Sequence, residues 1–200
     1  MSELELKMER WRYPRFFTEN ISDTAAVLDR EDSKHVSQVL RMRPGEFAVI
    51  CDGNGTDYLG RLESAEGECV FGILEKSPNQ AEPSVHLRLF QAMPKGDKME
   101  FVIQKSVELG VRKIVPFLSK NCVSRPDKTD KKVERWRKIA VEAAKQCGRG
   151  YLPVVTAVES AEKAFAMASD SGTALFFYEH ETRGLRETLE GQGVSDTVSL

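Results

Sequence analysis

The chain has few of the residues that mark metal-binding or disulfide-stapled proteins. Its 200 residues hold four cysteines and three histidines. Cys51, Cys69, Cys122 and Cys147 are widely separated and form no C-x-x-C pair. That spacing argues against a zinc site and against a disulfide framework, and fits four reduced thiols in a cytoplasmic protein. His35, His86 and His180 are too dispersed for a metal cluster, so no metal is expected. No run approaches the ~20 apolar residues that span a bilayer, and the opening M-S-E-L-E-L-K-M-E-R-W lacks the apolar stretch of a secretory signal. The expectation is a cytoplasmic protein with no membrane partner. No G-x-G-x-x-G follows a strand-like run, which disfavours an ordinary dinucleotide-binding α/β enzyme. Internal repeats and low-complexity segments are also missing.

What the chain does have is a buried asymmetry of charge. Its formal net charge is −2. Yet Lys120 to Gly150 carries ten Lys/Arg (Lys120, Arg125, Lys128, Lys131, Lys132, Arg135, Arg137, Lys138, Lys145, Arg149) against Asp127, Asp130, Glu134 and Glu142. That local excess of six cations leaves the remaining residues at −8. A basic stripe on an otherwise acidic chain is the footprint of a surface facing a polyanion. The plainer reading is a solvated helix face, the usual meaning of mixed charges on a helix.

Residues 1–80 read as a compact, β-rich domain. Glu31–Leu40 is a short helix candidate ended by Pro44-Gly45. Three strand-like runs follow, Phe47–Cys51, Thr56–Glu63 and Cys69–Leu74. Asp52-Gly53-Asn54-Gly55 joins the first pair as a hairpin, since Gly and Asn tolerate positive φ. Ala65-Glu66-Gly67-Glu68 joins the second, and the meander would close into a small barrel or sandwich. Ser77 to Pro83 has two prolines and no apolar periodicity, so it marks the domain boundary. From 81 to 200 the pattern alternates: strand Val85–Ala92, helix Lys98–Leu109 capped by Gly110, strand Lys113–Leu118, helix Asp130–Cys147, strand Val154–Val158, helix Ala161–Ala168, strand Ala174–Tyr178, and an apolar run from Thr197. Alternation of this kind indicates a mostly parallel sheet covered on both faces. In Asp130–Cys147, Val133, Trp136, Ile139/Ala140, Ala143/Ala144 and Cys147 form one apolar stripe, with Lys131, Arg135, Lys138 and Lys145 away from it.

With these blocks in place the chain resembles a known family. The blocks are Pro14-Arg15-Phe16-Phe17; His35 with Val39-Leu40-Arg41 and Gly45; Lys95-Gly96-Asp97-Lys98-Met99-Glu100; Gln104-Lys105-Ser106-Val107-Glu108-Leu109-Gly110; and, after Pro116, Glu142-Ala143-Ala144-Lys145-Gln146-Cys147-Gly148-Arg149 with Pro153. In this order they resemble the ribosomal RNA small subunit methyltransferase E family, of the knotted SPOUT class. The resemblance implies a PUA-like RNA-binding β-barrel followed by a SPOUT-type α/β methyltransferase domain with a trefoil knot. It implies a homodimer that uses S-adenosylmethionine to methylate N3 of a uridine in small-subunit (16S) ribosomal RNA. The family's glycine-rich G-P-E-G-G-like loop and its knot-threading segment have no counterpart before Leu200. The chain is therefore expected to be truncated before the knot is completed, and inactive or weak toward the cofactor by itself.

Residue roles follow from this resemblance together with the chemistry. The uracil N3 proton must leave as the methyl arrives, so a base, or a cation stabilising the developing anion, is required. Arg149 and Gln146, closing the long helix, are the catalytic candidates: an arginine fork suits a phosphate or uracil oxygen, and a glutamine amide can both donate to and accept from a pyrimidine edge. The alternative for Arg149 is a cation favoured by a helix C-terminus. Phe177, Tyr178 and Glu179, at a strand end, are the cofactor-binding candidates; the alternative is a buried strand end. Arg15, Arg41, Arg43, Lys95, Lys131, Arg135, Lys138 and Lys145 are the RNA-binding candidates. Phe16 and Phe17 suit base stacking but, as aromatics of a small barrel, suit its core as well. His35 is read as a packing residue or a base. Methyl transfer from a sulfonium relies mainly on orientation and needs no metal. The competing reading is a non-catalytic RNA-binding or ribosome-assembly protein.

Overall fold

The computed structural model describes residues 12–120, 129–170, 172–177, 184, 187 and 195–200. These fall into two compact units, one of residues up to Glu82 together with Ala144–Leu152, the other of Pro83–Ala143 with Pro153–Leu200. The end of the long helix and the turn after it belong with the first unit.

The first unit is built on a five-stranded mixed sheet in the order β1-β3-β4-β5-β2. Its strands are β1 Arg15–Phe17, β2 Ala25–Val27, β3 Phe47–Cys51, β4 Thr56–Ser64 and β5 Val70–Pro78. β1 runs parallel to β3, and the other pairs are antiparallel. The hairpin expected at Asp52–Gly55 is present between β3 and β4. Asp52 accepts hydrogen bonds from the N–H groups of Asn54 (2.8 Å) and Thr56 (3.1 Å), and Gly53 and Gly55 take positive φ. β1 and β2, three residues each, are too short for alternation to reveal. They are held by pairing with β3 and β5. The core is Phe16, Ala26, Leu28, Val36, Ala48, Ile50, Leu62, Cys69 and Phe71. Phe16 therefore fills the core rather than facing a base.

The helix expected over Glu31–Leu40 is two elements. Helix α1 is Arg30–Lys34, whose N-cap Asp29 accepts from the Asp32 N–H at 2.8 Å. A π-helical turn, His35–Val39, follows directly.

The second unit carries a parallel sheet in the order β10-β11-β6-β7-β8, with β9 also on β7. Its elements are β6 His86–Ala92, α2 Lys98–Glu108, β7 Val111–Leu118, α3 Thr129–Cys147, β8 Val154–Val155, β9 Glu159–Ser160, α4 Ala161–Ser169, β10 Thr173–Ala174 and β11 Thr197–Ser199. All pairings are parallel. Pro116 lies inside β7, where a missing N–H ordinarily breaks a ladder. β7 tolerates it because its outer neighbours are short. β8 pairs with Lys113 and Ile114, β9 with Phe117 and Leu118, and Pro116 faces the interval between them. α4 packs Ala164 and the partly buried Ala161 and Met167 against Val115, Phe117, Phe90 and Ala92. α2 buries Met99, Ile103 and Val107. Among the described residues no helix is long and apolar enough to cross a membrane.

Candidate functional site

In a parallel α/β sheet, ligands gather beyond the carboxyl ends of the strands, above all where connections diverge in opposite directions. β6 is such a place. The chain moves from β6 to β7 and β8 on one side, while β11 and β10 occupy the other. The loop leaving β6, Met93 to Asp97, holds exposed Lys95. Beyond β10, the Leu175 N–H donates to the Ser199 carbonyl at 2.8 Å. Phe176 and Phe177 follow, 68% and 61% exposed. Phe176 continues a row of tilted rings, 5.8 Å from Phe165, itself 5.7 Å from Phe117. An α/β sheet with unburied aromatics at its carboxyl edge offers an apolar platform for a ring or a cation. The strand expected to reach Tyr178 stops at Ala174, because only Thr173 and Ala174 have partners on β11. Tyr178 and Glu179 lie outside the described residues.

The same unit carries the first part of the basic helix. With about 100° per residue, Lys131, Arg135 and Lys138 fall within about 60° of one another, opposite buried Val133, Trp136 and Ala140. All three are exposed. Arg135 reaches Glu100 at 2.8 Å while remaining 70% exposed, and a surface pair of that kind holds a guanidinium only weakly. Arg137 donates to the Val155 carbonyl at 3.0 Å. Arg125 and Lys128 of the expected stripe lie outside the described residues.

The first unit takes the other end of the stripe, and there the expectation of outward-facing cations does not hold. Lys145 is bonded to Asp32 at 2.7 Å, with both side chains largely buried, and its ammonium lies 5.8 Å from the Phe16 ring centre. Arg149 is only 2% exposed. Its Nε and Nη2 donate to the two oxygens of Glu82, at 2.8 and 2.9 Å. The same carboxylate accepts the N–H groups of Gly150 (2.9 Å) and Tyr151 (3.1 Å). Burial alone would raise the Glu82 pKa, but the Arg149 hydrogen bonds, the two backbone donors and the cation's field outweigh it and draw it below the usual carboxylate value.

Arg15 is likewise turned inward. Nη1 and Nη2 donate to Asp57 at 2.7 and 2.9 Å, and Nη1 also reaches Cys51 Sγ and the Arg149 carbonyl. Burial opposes its charge, yet the Asp57 bond and the neighbouring fields prevail and its pKa rises. Asp57 accepts a third donor, Asn79 Nδ2, which also donates to the Gly148 carbonyl. Burial pushes the Cys51 thiol up.

Together these bonds form a clamp on residues 148–152. α3 ends with Gly148 at φ +79, and the Arg149 N–H returns to the Ala144 carbonyl at 3.0 Å, the closing bond of a Schellman cap. Gly55 donates to the Gly150 carbonyl, Leu152 to that of Gly53, and Asn54 bridges Tyr151. Gly55 is required twice over. Its φ is +94, and a Cβ there would meet the Tyr151 ring at 2.8 Å. Gln146, next to this clamp, is exposed.

Of the residues expected to face RNA, Arg41, Arg43, Lys95, Lys131, Arg135 and Lys138 are exposed, while Arg15 and Lys145 are bonded to carboxylates. Of the two residues expected to be catalytic, Gln146 is exposed and Arg149 is enclosed. Glu82, Asp57 and Asn79 escaped sequence reading. Glu82 and Asn79 sit in a segment with the composition of a linker, and their partners lie 67 and 69 residues away. A cleft of about 450 Å³ in the first unit is lined by Glu19, Asp29, Asp52 and Glu68 among others. Its charge is of the wrong sign for a polyanion.

Comparison with known proteins gives this arrangement a context. Residues 81–198 match the model of an RNA methyltransferase domain, and residues 28–74 that of an RNA methyltransferase PUA domain. The chain is 32% identical over 156 residues to ribosomal RNA small subunit methyltransferase E of Bacillus subtilis, covering 76% of this chain and 61% of that protein. The protein of the same name from Mycobacterium tuberculosis is 32% identical over 151 residues, 72% of this chain and 57% of that one. The chain thus spans about three-fifths of the length of these relatives. Among solved structures, ribosomal RNA small subunit methyltransferase E from Neisseria gonorrhoeae bound to S-adenosyl methionine superposes with a TM-score of 0.80 at 29% identity, over 94% of this chain and 78% of that one. A PUA-type sheet unit paired with a parallel α/β unit matched along nearly its whole length carries one conclusion: the chain belongs to the RNA methyltransferase domain family.

Proposed function

We propose that this chain serves S-adenosylmethionine-dependent methylation of N3 of a uridine in small-subunit (16S) ribosomal RNA. The observation that carries this reading is the match of residues 81–198 to the RNA methyltransferase domain, on a sheet whose carboxyl edge carries exposed aromatic rings. Phe177, with Phe176, is the group that would hold the cofactor. A ring face suits both adenine and a sulfonium cation. The cofactor supplies an electrophilic methyl group. The chain's own residues bind and orient the acceptor. Lys131, Arg135 and Lys138 take phosphates on one helix face, Lys95 takes one at the strand ends, and Gln146 offers its amide to a pyrimidine edge. Arg149 is assigned to positioning: bonded to Glu82, it fixes the turn beside Gln146. The reading includes a homodimer, a knotted α/β domain and a cytoplasmic site of action.

The test is transfer of labelled methyl from S-adenosylmethionine to small ribosomal subunits lacking the modification, with the product nucleoside identified by mass spectrometry. N3-methyluridine is the expected product. A different methylated base refutes the acceptor assignment. Tight RNA binding without methyl transfer by a chain that binds the cofactor would favour the assembly-protein reading.

A further inference from the structure

The segment Ser33 to Gly45 in the first unit departs twice from ordinary backbone geometry. The Leu40 N–H donates to the His35 carbonyl at 2.9 Å, five residues back, and the Met42 N–H to that of Val36 at 3.0 Å. The first is the bond of the π-helical turn, a form that concentrates at functional positions; the second, six residues back, closes the chain over its end. Arg41 then takes φ +53, and among the described residues no other non-glycine has positive φ. Such conformations persist only where their surroundings enforce them. Here Val36 is wholly buried in the core and the His35 ring meets Phe16 edge-on. The anchored turn leaves Val39 68% and Leu40 42% exposed side by side.

Along the sequence, the charges between Ser33 and Gly45 are of one sign. Ser33 to Gly45 contains no acid and holds Lys34, Arg41 and Arg43. The next acid, Glu46, is turned to the backbone and accepts the Arg43 N–H at 2.7 Å. The Arg41 and Arg43 guanidinium groups have no hydrogen-bond or ion-pair partner among the described residues. An apolar pair flanked by available cations fits a polyanion that also presents apolar faces. RNA does so only where bases are unstacked, because a duplex hides base faces and shows phosphates and 2′-hydroxyls.

We propose that the tip from Gln38 to Arg43 is a contact for an unpaired nucleotide of RNA, with Val39 and Leu40 against the base and Arg41 and Arg43 on the neighbouring phosphates. This deepens the RNA methyltransferase reading and rests on it for the class of polymer. The strained turn holds the wedge ready, so little ordering is needed on binding.

The test is fluorescence anisotropy of the 200-residue chain with two labelled RNAs of equal length, a hairpin with an unpaired loop and a fully paired duplex. The parent should prefer the hairpin. Val39→Ala/Leu40→Ala should weaken hairpin binding about fivefold, from lost apolar burial, with the salt dependence and the duplex affinity unchanged. Arg41→Ala and Arg43→Ala should weaken both RNAs and each lower the slope against log salt by about one. Arg41→Gly separates strain from charge: it should match Arg41→Ala in salt slope while raising the melting temperature. Thermal melts of every variant confirm folding. Equal parent affinity for the two RNAs, or hairpin affinity unmoved by the Val39/Leu40 pair, overturns the proposal; tip variants that lose only a protein partner would do the same. Loop-selective binding together with a methylated product other than N3-methyluridine would sink the acceptor assignment and leave this contact standing.

Discussion

Replacing Glu82 with alanine leaves the Arg149 guanidinium, 2% exposed, without its bidentate partner. Removing one member of a buried ion pair costs about 3–5 kcal/mol, because the other charge stays behind unpaired. Arg149→Met is milder. Glu82 keeps the N–H groups of Gly150 and Tyr151, and its side chain is 10% exposed, so water shares the remaining charge; the cost is about 1–3 kcal/mol. The double variant Glu82→Ala/Arg149→Met removes both charges together and leaves no unpaired partner of that ion pair. It should therefore be at least about 2 kcal/mol more stable than the sum of the single losses implies. Urea unfolding followed by circular dichroism at pH 7, with m-values compared among the four proteins, measures all three quantities. Glu82→Ala losing less than about 1 kcal/mol, or single losses that simply add, would refute the clamp as described.

Because the folded Glu82 pKa is lowered, its stabilisation is present in full above the unfolded carboxylate value of about 4.3 and fades as pH falls through the lower folded value. The melting-temperature gap between parent and Glu82→Gln should shrink as pH falls from about 5, and a gap independent of pH would count against the pair. Gly55→Ala combines a φ of +94 with the Tyr151 ring, whereas Gly67, at φ +79, has open space; Gly67→Ala should cost about 1 kcal/mol and Gly55→Ala distinctly more, by the same urea titration. In a Cys122→Ser background a thiol reagent should label half-buried Cys147 well before Cys51 and Cys69, both buried and with pKa values raised by burial; labelling of all three at one rate in the native state is the contrary result.

The elements themselves were readable wherever a pattern is local. The apolar stripe of α3 repeats at helical spacing over about four turns, and the structure has that helix at Thr129–Cys147. Asp52 to Gly55 specified a hairpin through residues that accept positive φ, and β3 and β4 flank it. Reading failed where an element owes its existence to distant partners. β1, β2 and β9 have two or three residues each and show no period of their own. The π turn at His35–Val39 differs from an α-helix by one residue of hydrogen-bond register, which side-chain spacing over five residues does not reveal.

By itself the sequence determined the family blocks, the order of the longer strands and helices, and the concentration of cations between Lys120 and Gly150, since each is a property of neighbouring residues. Only the tertiary structure decided what those cations do. Lys131 and Lys138 face solvent, while Lys145 and Arg149, on the same run, meet Asp32 and Glu82, more than sixty residues away. A carboxylate brought close by folding satisfies a buried cation far more strongly than any neighbour along the helix, and which carboxylate arrives is set by the path of the whole chain.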